Sequence, residues 1–319
     1  MLLECLVSLV NQTERAIEVV VVDNSGKQLA RQAGAERFGA TILENPRNLG
    51  FSAAVNAAFR RSRAPFLATL NDDAVAHPHW VGALLAAVEA RPEVGMCASQ
   101  VRLMGEDSLD SAGMLIARDG TTKQRGHRED PARYGSLEEV LFPSACAALY
   151  RRAMLEEIGL FDEDFFLYCE DSDLGLRARW AGWQCLYVPQ AVVEHRYSQT
   201  AVAFPALKAY YLERNRLFLI VKNLPASLLV AAPWFALARY FWHAVSILEG
   251  RGSAARYRER RNPLEMVFIL LRAHCSWLYH MPALWRKRRQ VRAAARLSPQ
   301  AFRRLLAAHV ITARQVAAL

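Results

Sequence analysis

Two runs of strand-forming residues, each ending in a cluster of polar residues, constrain the fold of this 319-residue chain more than any other feature. The run 17–22 ends in the turn-forming residues 23–26, and the run 65–70 ends in the polar residues 71–73. Parallel strands covered on both faces have continuous apolar sequences and present polar groups at their carboxyl ends. The chain is therefore predicted to form an α/β sheet that binds its ligand at that edge.

Strands and helices alternate through the first hundred residues. A helix is predicted at the start, where Leu2, Leu6 and Leu9 recur at helical spacing, and another over 51–61 after a strand at 40–43. This alternation predicts a doubly wound, mostly parallel sheet. From 100 to 200 the pattern is less regular, with short strands predicted near 97–103, 112–117 and 185–193 and a helix near 171–181.

Charge is unevenly divided along the chain. Residues 251–319 hold 15 Lys and Arg against two acids, whereas residues 1–250 carry a net charge of about −4. A basic tail is expected to meet an anionic partner, either a membrane surface or a nucleic acid. Because the tail is rich in Leu, Ala and Trp at helical spacing, we favour the membrane and expect no nucleic acid to bind.

The six cysteines and the start of the chain bear on the compartment. The cysteines are scattered without a CxxC pair, so neither a zinc site nor a disulfide framework is indicated. Glu4 and the lack of a basic segment before the first apolar residues argue against a secretory signal. Reduced thiols and a catalytic part facing the cytoplasm are expected.

Beyond residue 210 the sequence predicts long apolar helices. Four prolines are expected to interrupt them, and the longest uncharged stretch, 223–238, is shorter than the ~18–20 residues that span a bilayer. The segments 217–248 and 264–285, followed by the basic run 286–289, are expected to lie on or dip into the membrane interface. The alternative is a soluble helical domain with a basic face. The prolines are Pro225, Pro233, Pro263 and Pro282.

Two clusters of acids are candidates for chemistry. Adjacent carboxylates such as Asp72 and Asp73 can hold Mg²⁺ or Mn²⁺ while the cation bridges a diphosphate, although acids at strand ends are more often turn formers. Glu170 and Asp171 open a predicted helix, where acids also stabilise the helix dipole. Their aromatic neighbours at 165–168 favour a raised carboxylate pKa, which suits a general base.

The order of these clusters carries a resemblance. The segments 19–25, 45–56 and 70–74 resemble family 2 glycosyltransferases, particularly the bacterial rhamnosyltransferase-like branch, and the segment 159–177 is similar to the acceptor-site and catalytic-base motif of that branch. The likeness is strong over residues 1 to about 200. It implies a GT-A fold with a nucleotide-sugar part at 1–105, an acceptor and catalytic part at 106–210, and a membrane-associating helical tail at 211–319.

The resemblance also implies roles for single residues. Asp171 corresponds to the general base, with Glu170 beside it, and Asp73 and His195 correspond to the metal ligands for Mg²⁺ or Mn²⁺. Asn71 stands in the first position of the family's DxD element, which leaves Asp73 as the more secure ligand. The donor is assigned to Asp23, Asn48, Gly50, Asn56, Asn71 and Asp72, and the acceptor to Phe165, Tyr168, Asp173 and Trp183.

The resemblance further implies the reaction. The expected enzyme inverts the anomeric centre and transfers rhamnose from dTDP-rhamnose to a lipid-linked or cell-envelope glycan, at the cytoplasmic face of a bacterial inner membrane. Transfer of galactofuranose or of an N-acetylhexosamine is the alternative within the fold. A catalytically inactive glycan-binding membrane protein is the alternative of another class, and it would be expected to lack Asp171 or Asp73.

The start of the chain departs from the family pattern. Family 2 sequences begin with an apolar strand before the first helix, whereas this chain begins on the helix. The strands at 17–22 and 65–70 are then expected to lack their shared neighbour in the sheet, which leaves buried backbone groups unpaired. We therefore expect Met1 to be a misassigned start or a truncation, and a form longer by roughly 10–15 residues to fold better.

Overall fold

The computed structural model describes residues 1–196, 205–249 and 263–318. The chain divides into two compact units. The first comprises Met1–Met114 and Gln124–Tyr197, and the second comprises Leu115–Lys123 and Ser198–Leu319. The expected boundary at residue 105, between the nucleotide-sugar part and the acceptor part, falls within the first unit. It stays a prediction.

The first unit alternates helices and strands as the sequence predicts, and the predicted helix at 51–61 is confirmed at those bounds. A hairpin, β7 and β8, leads from the first unit into the second and back. The elements are α1 (Leu2–Val10), β1 (Val20–Asp23), α2 (Leu29–Gln32), β2 (Thr41–Glu44), α3 (Phe51–Arg61), β3 (Phe66–Leu70), β4 (Ala74–Ala76), α4 (Trp80–Glu89), β5 (Val94–Leu103), β6 (Leu109–Ser111), β7 (Met114–Ile116), β8 (Thr122–Gln124), β9 (Glu138–Glu139), β10 (Ala147–Arg151), α5 (Arg152–Ile158), α6 (Glu170–Trp180) and β11 (Gln184–His195).

The central sheet has seven strands with the order β3-β10-β5-β11-β4, and β6 and β9 pair with β5 and β11. The α/β class is confirmed, but the expected mostly parallel sheet is corrected to a mixed one. Only β5 and β11 run parallel in this sheet, while β3, β10, β4, β6 and β9 pair antiparallel with their neighbours. The sequence of a single strand does not encode the direction of a partner that is distant in the chain.

β1 and β2 form a separate parallel pair, in register from Val20 with Thr41 to Asp23 with Glu44. The only sheet partner of β3 in the described ranges is β10. No described strand pairs with both β1 and β3, so the expectation of a further strand stays a prediction.

One face of the central sheet is covered by α4. Trp80, Leu84 and Val88 recur at a spacing of four residues, are at most 1% exposed, and pack with Val101 and Val193 of the sheet. The Trp80 indole donates to Ser99 Oγ at 2.8 Å, so its polar atom is satisfied inside the core. This packing fixes the position of β11, which ends at His195.

The second unit is helical. Its helices are α7 (Pro205–Asn223), α8 (Ala226–Leu248), α9 (Pro263–Ala293), α10 (Pro299–Ala308) and α11 (Ala313–Ala318). Pro225 and Pro263 lie at helix starts, as expected, but Pro233 and Pro282 lie inside α8 and α9, which corrects the expected interruptions there. Both prolines are exposed, and a proline inside a helix removes one backbone hydrogen bond and presses on the carbonyl four residues earlier, which can kink the helix without ending it.

α8 is longer than the uncharged stretch in the sequence indicates. It has 23 residues, and a window within it has a mean hydropathy of 1.2. By length and composition it is the one helix of the described ranges that could cross a membrane.

Candidate active site

The pairing of β4 with β11 brings Asp73 and His195 together. His195 is in register with Ala74, the residue after Asp73, so the two side chains meet at one end of the sheet. His195 Nε2 lies 3.2 Å from Asp73 Oδ1, and the Arg196 amide donates to the Asp73 carbonyl at 3.0 Å. β4 has only three residues, and the sequence did not predict it.

A third residue, Asp110, completes this cluster. It is 4% exposed, and its Oδ2 lies 2.8 Å from His195 Nδ1, while its Oδ1 lies 3.3 Å from His127 Nδ1. Burial alone lowers the pKa of His195, but the hydrogen bond to Asp110 and the contact with Asp73 outweigh it and raise the pKa to about 12. Burial acts to raise the pKa of Asp110, and hydrogen bonds from His127 and His195 reverse this and lower it.

Sequence reasoning missed Asp110 and His127. The available signal was an acid in an otherwise buried three-residue strand, Leu109–Ser111, because a buried charge needs a partner. The partner could not be read from the sequence, since 85 residues separate Asp110 from His195.

Two members of this cluster, Asp73 and His195, have donor atoms that suit a divalent cation. Asp73 Oδ1 is buried and has no hydrogen bond of good geometry within the described part of the chain, although His195 Nε2 is close. A buried carboxylate oxygen beside an imidazole matches the ligands of Mn²⁺ and Mg²⁺, and Asp110 orients the ring as carboxylates do for metal-bound histidines. No group of three or more His, Cys, Asp or Glu side chains in the described ranges could hold a metal. Two protein ligands leave the other positions to substrate phosphate and water.

The turn before β4 carries Asp72, the remaining acid of the motif at 71–73. The Asn71 amide donates to the Cys146 carbonyl at 2.9 Å, and the Asn71 carbonyl accepts from the Ala74 amide, which fixes the turn. Asp72 is on the surface of the turn, where partial desolvation and then the charge of Asp73 raise its pKa. Its position is compatible with a contact to ribose or diphosphate, which stays a prediction.

Glu170 and Asp171 begin α6. Asp171 is partly exposed, and its two oxygens accept from the Ser172 amide at 2.6 Å and the Ala145 amide at 3.3 Å. Glu170 is 6% exposed, and its Oε2 has no partner among the described residues. Burial raises the pKa of both carboxyls, and the charge of Asp171 raises that of Glu170 further. The more exposed Asp171 is therefore the acid that can reach a substrate.

The loop before α6 is strained. Phe166, Tyr168 and Cys169 all have φ between +62° and +69°, which is unfavourable for residues with a Cβ. Strain of this kind clusters at functional sites and is held by the surrounding contacts. One such contact is the Phe166 carbonyl, which accepts from the Phe51 amide at 2.8 Å. A Cβ on Gly50 would lie 2.5 Å from that carbonyl oxygen, so Gly50 permits the approach.

The loops after β1 and β2 are joined by side chains. Asp23 is 7% exposed, and its oxygens accept from the Ser25 and Ala30 amides, both at 2.8 Å. Burial acts to raise the pKa of Asp23, but these hydrogen bonds outweigh it and lower the pKa. Asn24 donates to the Gly50 carbonyl at 3.0 Å, and Asn48 Oδ1 accepts from the Gly50 amide at 2.9 Å. Asp23 and Asn48 thus shape the predicted donor loops.

Three predicted contact residues are too buried for that role. Phe165 and Asp173 are 0% exposed, and Asn56 is 2% exposed. Asn56 bonds both backbone groups of Phe161, and Asp173 Oδ2 accepts from Arg177 at 2.9 Å. We correct these assignments from substrate contact to support of the loops. Tyr168 and Trp183 are partly exposed and stay predicted acceptor contacts.

The fold defines the class of this protein. It aligns with the structure of GalNAc-T7, solved with UDP, GalNAc and Mn²⁺, with a TM-score of 0.52 at 13% identity over 68% of this chain and 48% of that one. It aligns with the mannosyltransferase PcManGT of Pyrobaculum calidifontis, solved with GDP-Man and Mn²⁺, with a TM-score of 0.51 at 18% identity over 92% and 81% of the two chains. The expected GT-A fold is thereby confirmed.

The family follows from sequence matches. The model of glycosyl transferase family 2 matches residues 1–159. N-acetylglucosaminyl-diphospho-decaprenol L-rhamnosyltransferase of Mycobacterium tuberculosis is 30% identical, over 63% of this chain and 73% of that relative. O-antigen biosynthesis protein RfbC of Myxococcus xanthus is 29% identical over 61% of this chain and 16% of that protein. The chain belongs to glycosyltransferase family 2 and is a glycosyltransferase.

Proposed function

We propose that this enzyme transfers rhamnose from dTDP-rhamnose to a lipid-linked or cell-envelope glycan, with inversion, at the cytoplasmic face of a bacterial inner membrane. The observation that carries the proposal is that the first unit contains both an Asp73–His195 pair and a partly exposed Asp171 beside a buried Glu170. The choice of rhamnose is supported by the 30% identity to a rhamnosyltransferase whose name specifies a decaprenol-linked N-acetylglucosamine.

Asp171 removes the proton from the acceptor hydroxyl. Its carboxylate is fixed by the Ser172 and Ala145 amides, so it holds one position while the hydroxyl attacks. A raised pKa makes it a stronger base than an ordinary aspartate once it is ionised. Attack on the face opposite the leaving diphosphate in one displacement inverts the anomeric centre.

Asp73 and His195 would hold Mg²⁺ or Mn²⁺, and Asp110 would keep the His195 ring in place. A bound cation supplies charge neutralisation for the nucleoside diphosphate that leaves. The loops held by Asp23, Asn48 and Gly50 would surround the nucleotide, and Tyr168 and Trp183 would contact the acceptor.

A donor screen tests this function. The purified protein is incubated with Mn²⁺ or Mg²⁺ and, in turn, dTDP-rhamnose, UDP-galactofuranose and UDP-N-acetylglucosamine, with and without polyprenyl diphosphate N-acetylglucosamine. We expect nucleotide release to be fastest from dTDP-rhamnose and to depend on the acceptor. If nucleotide release is faster from either UDP-sugar, then that compound, and not dTDP-rhamnose, is the donor. Binding of a glycan without release from any donor identifies an inactive glycan-binding protein.

A further inference from the structure

α8 has its apolar face outward and its charged group inward. Helices on soluble surfaces show the opposite arrangement. Arg239 and Ala232 on the inner face are 9% and 4% exposed. The outer face carries large apolar side chains at helical spacing that are 58–82% exposed, namely Val230, Trp234, Leu237, Phe241 and Leu248. We call these five residues the α8 stripe.

Arg239 is held by acids of the second unit. Its Nε donates to Asp119 Oδ2 at 2.6 Å, and its Nη2 donates to Glu213 Oε2 at 3.0 Å. Arg216 pairs with the same Glu213 and donates to the Asp119 carbonyl at 2.7 Å. Asp119 lies in the turn between β7 and β8. The middle of α8 is thus fixed to a β-hairpin.

This attachment opposes a crossing of the bilayer by α8. The hairpin would then lie at the depth of the hydrocarbon, together with the exposed Arg118, whose guanidinium is 5.4 Å from the Phe235 ring. The turn residues Ala117, Asp119 and Gly120 are buried, but the exposed guanidinium of Arg118 would stand in hydrocarbon, where a charged side chain is costly. Without the hairpin, Arg239 would lose Asp119, one of its two carboxylate partners. α8 therefore meets lipid along its side at a lower cost than it would span the bilayer.

α9 presents a second apolar stripe with a cationic end. Its outward apolar residues are 43–82% exposed and recur at helical spacing. On the same face Arg286 and Arg289 follow, and they are exposed. No acid follows Glu265 in the sequence. We define the α9 stripe as Val267, Phe268, Leu271, Leu278, Tyr279 and Trp285.

The chemistry of these surfaces selects their partner. Apolar side chains with tryptophans and adjoining arginines match the boundary between acyl chains and anionic headgroups. A second copy packed through the same helix would offer these arginines Glu265 as the one carboxylate of α9. We propose that the α8 and α9 stripes dock on an anionic bilayer with both helices parallel to its plane. This inference deepens the membrane location in the proposed function, and its tests use no glycosyl transfer, so the two can fail separately.

Cys275 is a native reporter of this surface. It lies between Leu271 and Leu278 on the α9 stripe and is the one exposed cysteine of the six. We expect vesicles containing phosphatidylglycerol to slow its reaction with a membrane-impermeant maleimide by about fivefold or more, and pure phosphatidylcholine vesicles to have a much smaller effect. Equal reaction rates with and without anionic vesicles overturn the proposal. Protection without vesicles, in a protein that sediments as a dimer, assigns the surface to a second copy instead.

Depth measurements separate docking from spanning. In a Cys275→Ser background, Val230→Cys, Leu237→Cys and Leu248→Cys each receive a fluorophore that is quenched by lipids labelled at different depths. Residues 230 and 248 are about 27 Å apart along a helix. We expect similar shallow depths at all three positions. A profile that is deepest at 237 and shallow at both ends shows a spanning helix and overturns the proposal.

Charged substitutions test the stripes directly. Phe241→Glu combined with Leu271→Glu is expected to weaken binding to phosphatidylglycerol vesicles by about tenfold or more. Leu137→Glu, at a position of the first unit that is 43% exposed, is the control and should bind normally. Circular dichroism melts establish that each variant folds. Normal binding by the folded double variant overturns the proposal.

Discussion

His195 Nδ1 lies 2.8 Å from Asp110 Oδ2, so a buried carboxylate fixes which nitrogen of this imidazole faces Asp73. Loss of such an orienting carboxylate lowers metal affinity about 10–100-fold in proteins. We expect Asp110→Asn to weaken Mn²⁺ binding by that factor, as measured by electron paramagnetic resonance with dTDP present. Asp107→Asn, at an exposed nearby position, is the control. Unchanged Mn²⁺ affinity in a folded Asp110→Asn protein would show that the ring needs no such support.

Asp171→Asn should separate chemistry from donor binding. Loss of a general base costs about 10²–10⁴ in rate, and the role proposed for Asp171 is on the acceptor hydroxyl and not on the diphosphate. We expect kcat to fall by that factor and the Kd for dTDP to stay within about twofold. Glu170→Gln is the matched comparison, because it changes the neighbouring buried acid and should lower kcat far less. An equal loss of kcat in the two variants would show that Asp171 and Glu170 act together, and that Asp171 alone is not the base.

The pH dependence follows from the direction of the Asp171 shift. Burial raises its pKa, and the base is active only when ionised, so kcat rises with pH through that pKa. The acid limb of the profile should therefore have a midpoint above the ordinary aspartate value of about 3.9. Single-turnover rates between pH 4 and 9 measure it. A limb at or below the ordinary value would contradict the assignment.

Gly50→Ala should disrupt the link between the two loops. Its φ is +87°, and an added Cβ would lie 2.5 Å from the Phe166 carbonyl oxygen. Gly39→Ala isolates the backbone effect, because Gly39 has a φ of +72° and open space around it. We expect the control to lose about 1 kcal/mol of unfolding free energy and Gly50→Ala to lose about 1–3 kcal/mol more, with weaker dTDP binding. Equal melting temperatures for the Gly50→Ala and Gly39→Ala proteins would show that separating the two loops costs no stability.

Glu213 predicts acid sensitivity of the second unit. Its burial acts to raise the pKa, but Arg216 and Arg239 outweigh it and lower the pKa to about 2, below the ordinary 4.5. The folded state therefore gains stability from ionised Glu213 above pH 4.5, and this gain is lost as pH falls toward 2. Melting temperatures at pH 6 and pH 3.5 should differ less in Glu213→Gln than in the parent. Glu156→Gln, at an exposed site, should leave the difference unchanged.

The local periodicity of the chain correctly predicted several elements. The helix at 51–61 appears at those bounds, and the acid motif at 71–73 follows β3 as expected. Hydrophobic spacing and the residues at element ends are properties of neighbours in sequence, so they can be read directly. The prolines at 233 and 282 were expected to interrupt the helices, but a proline inside a long helix can kink it without ending it.

The sequence by itself determined the α/β class, the positions of the acids and the family resemblance. The tertiary structure alone decided that β4 and β11 run antiparallel, which joins Asp73 to His195, and that Asp110 from 85 residues away holds that histidine. It also turned Arg239 inward and left the apolar side of α8 exposed. Each of these outcomes depends on which distant segments of the chain pack against each other. A charge that is buried between such segments must find a partner there. No local pattern in the chain specifies that partner.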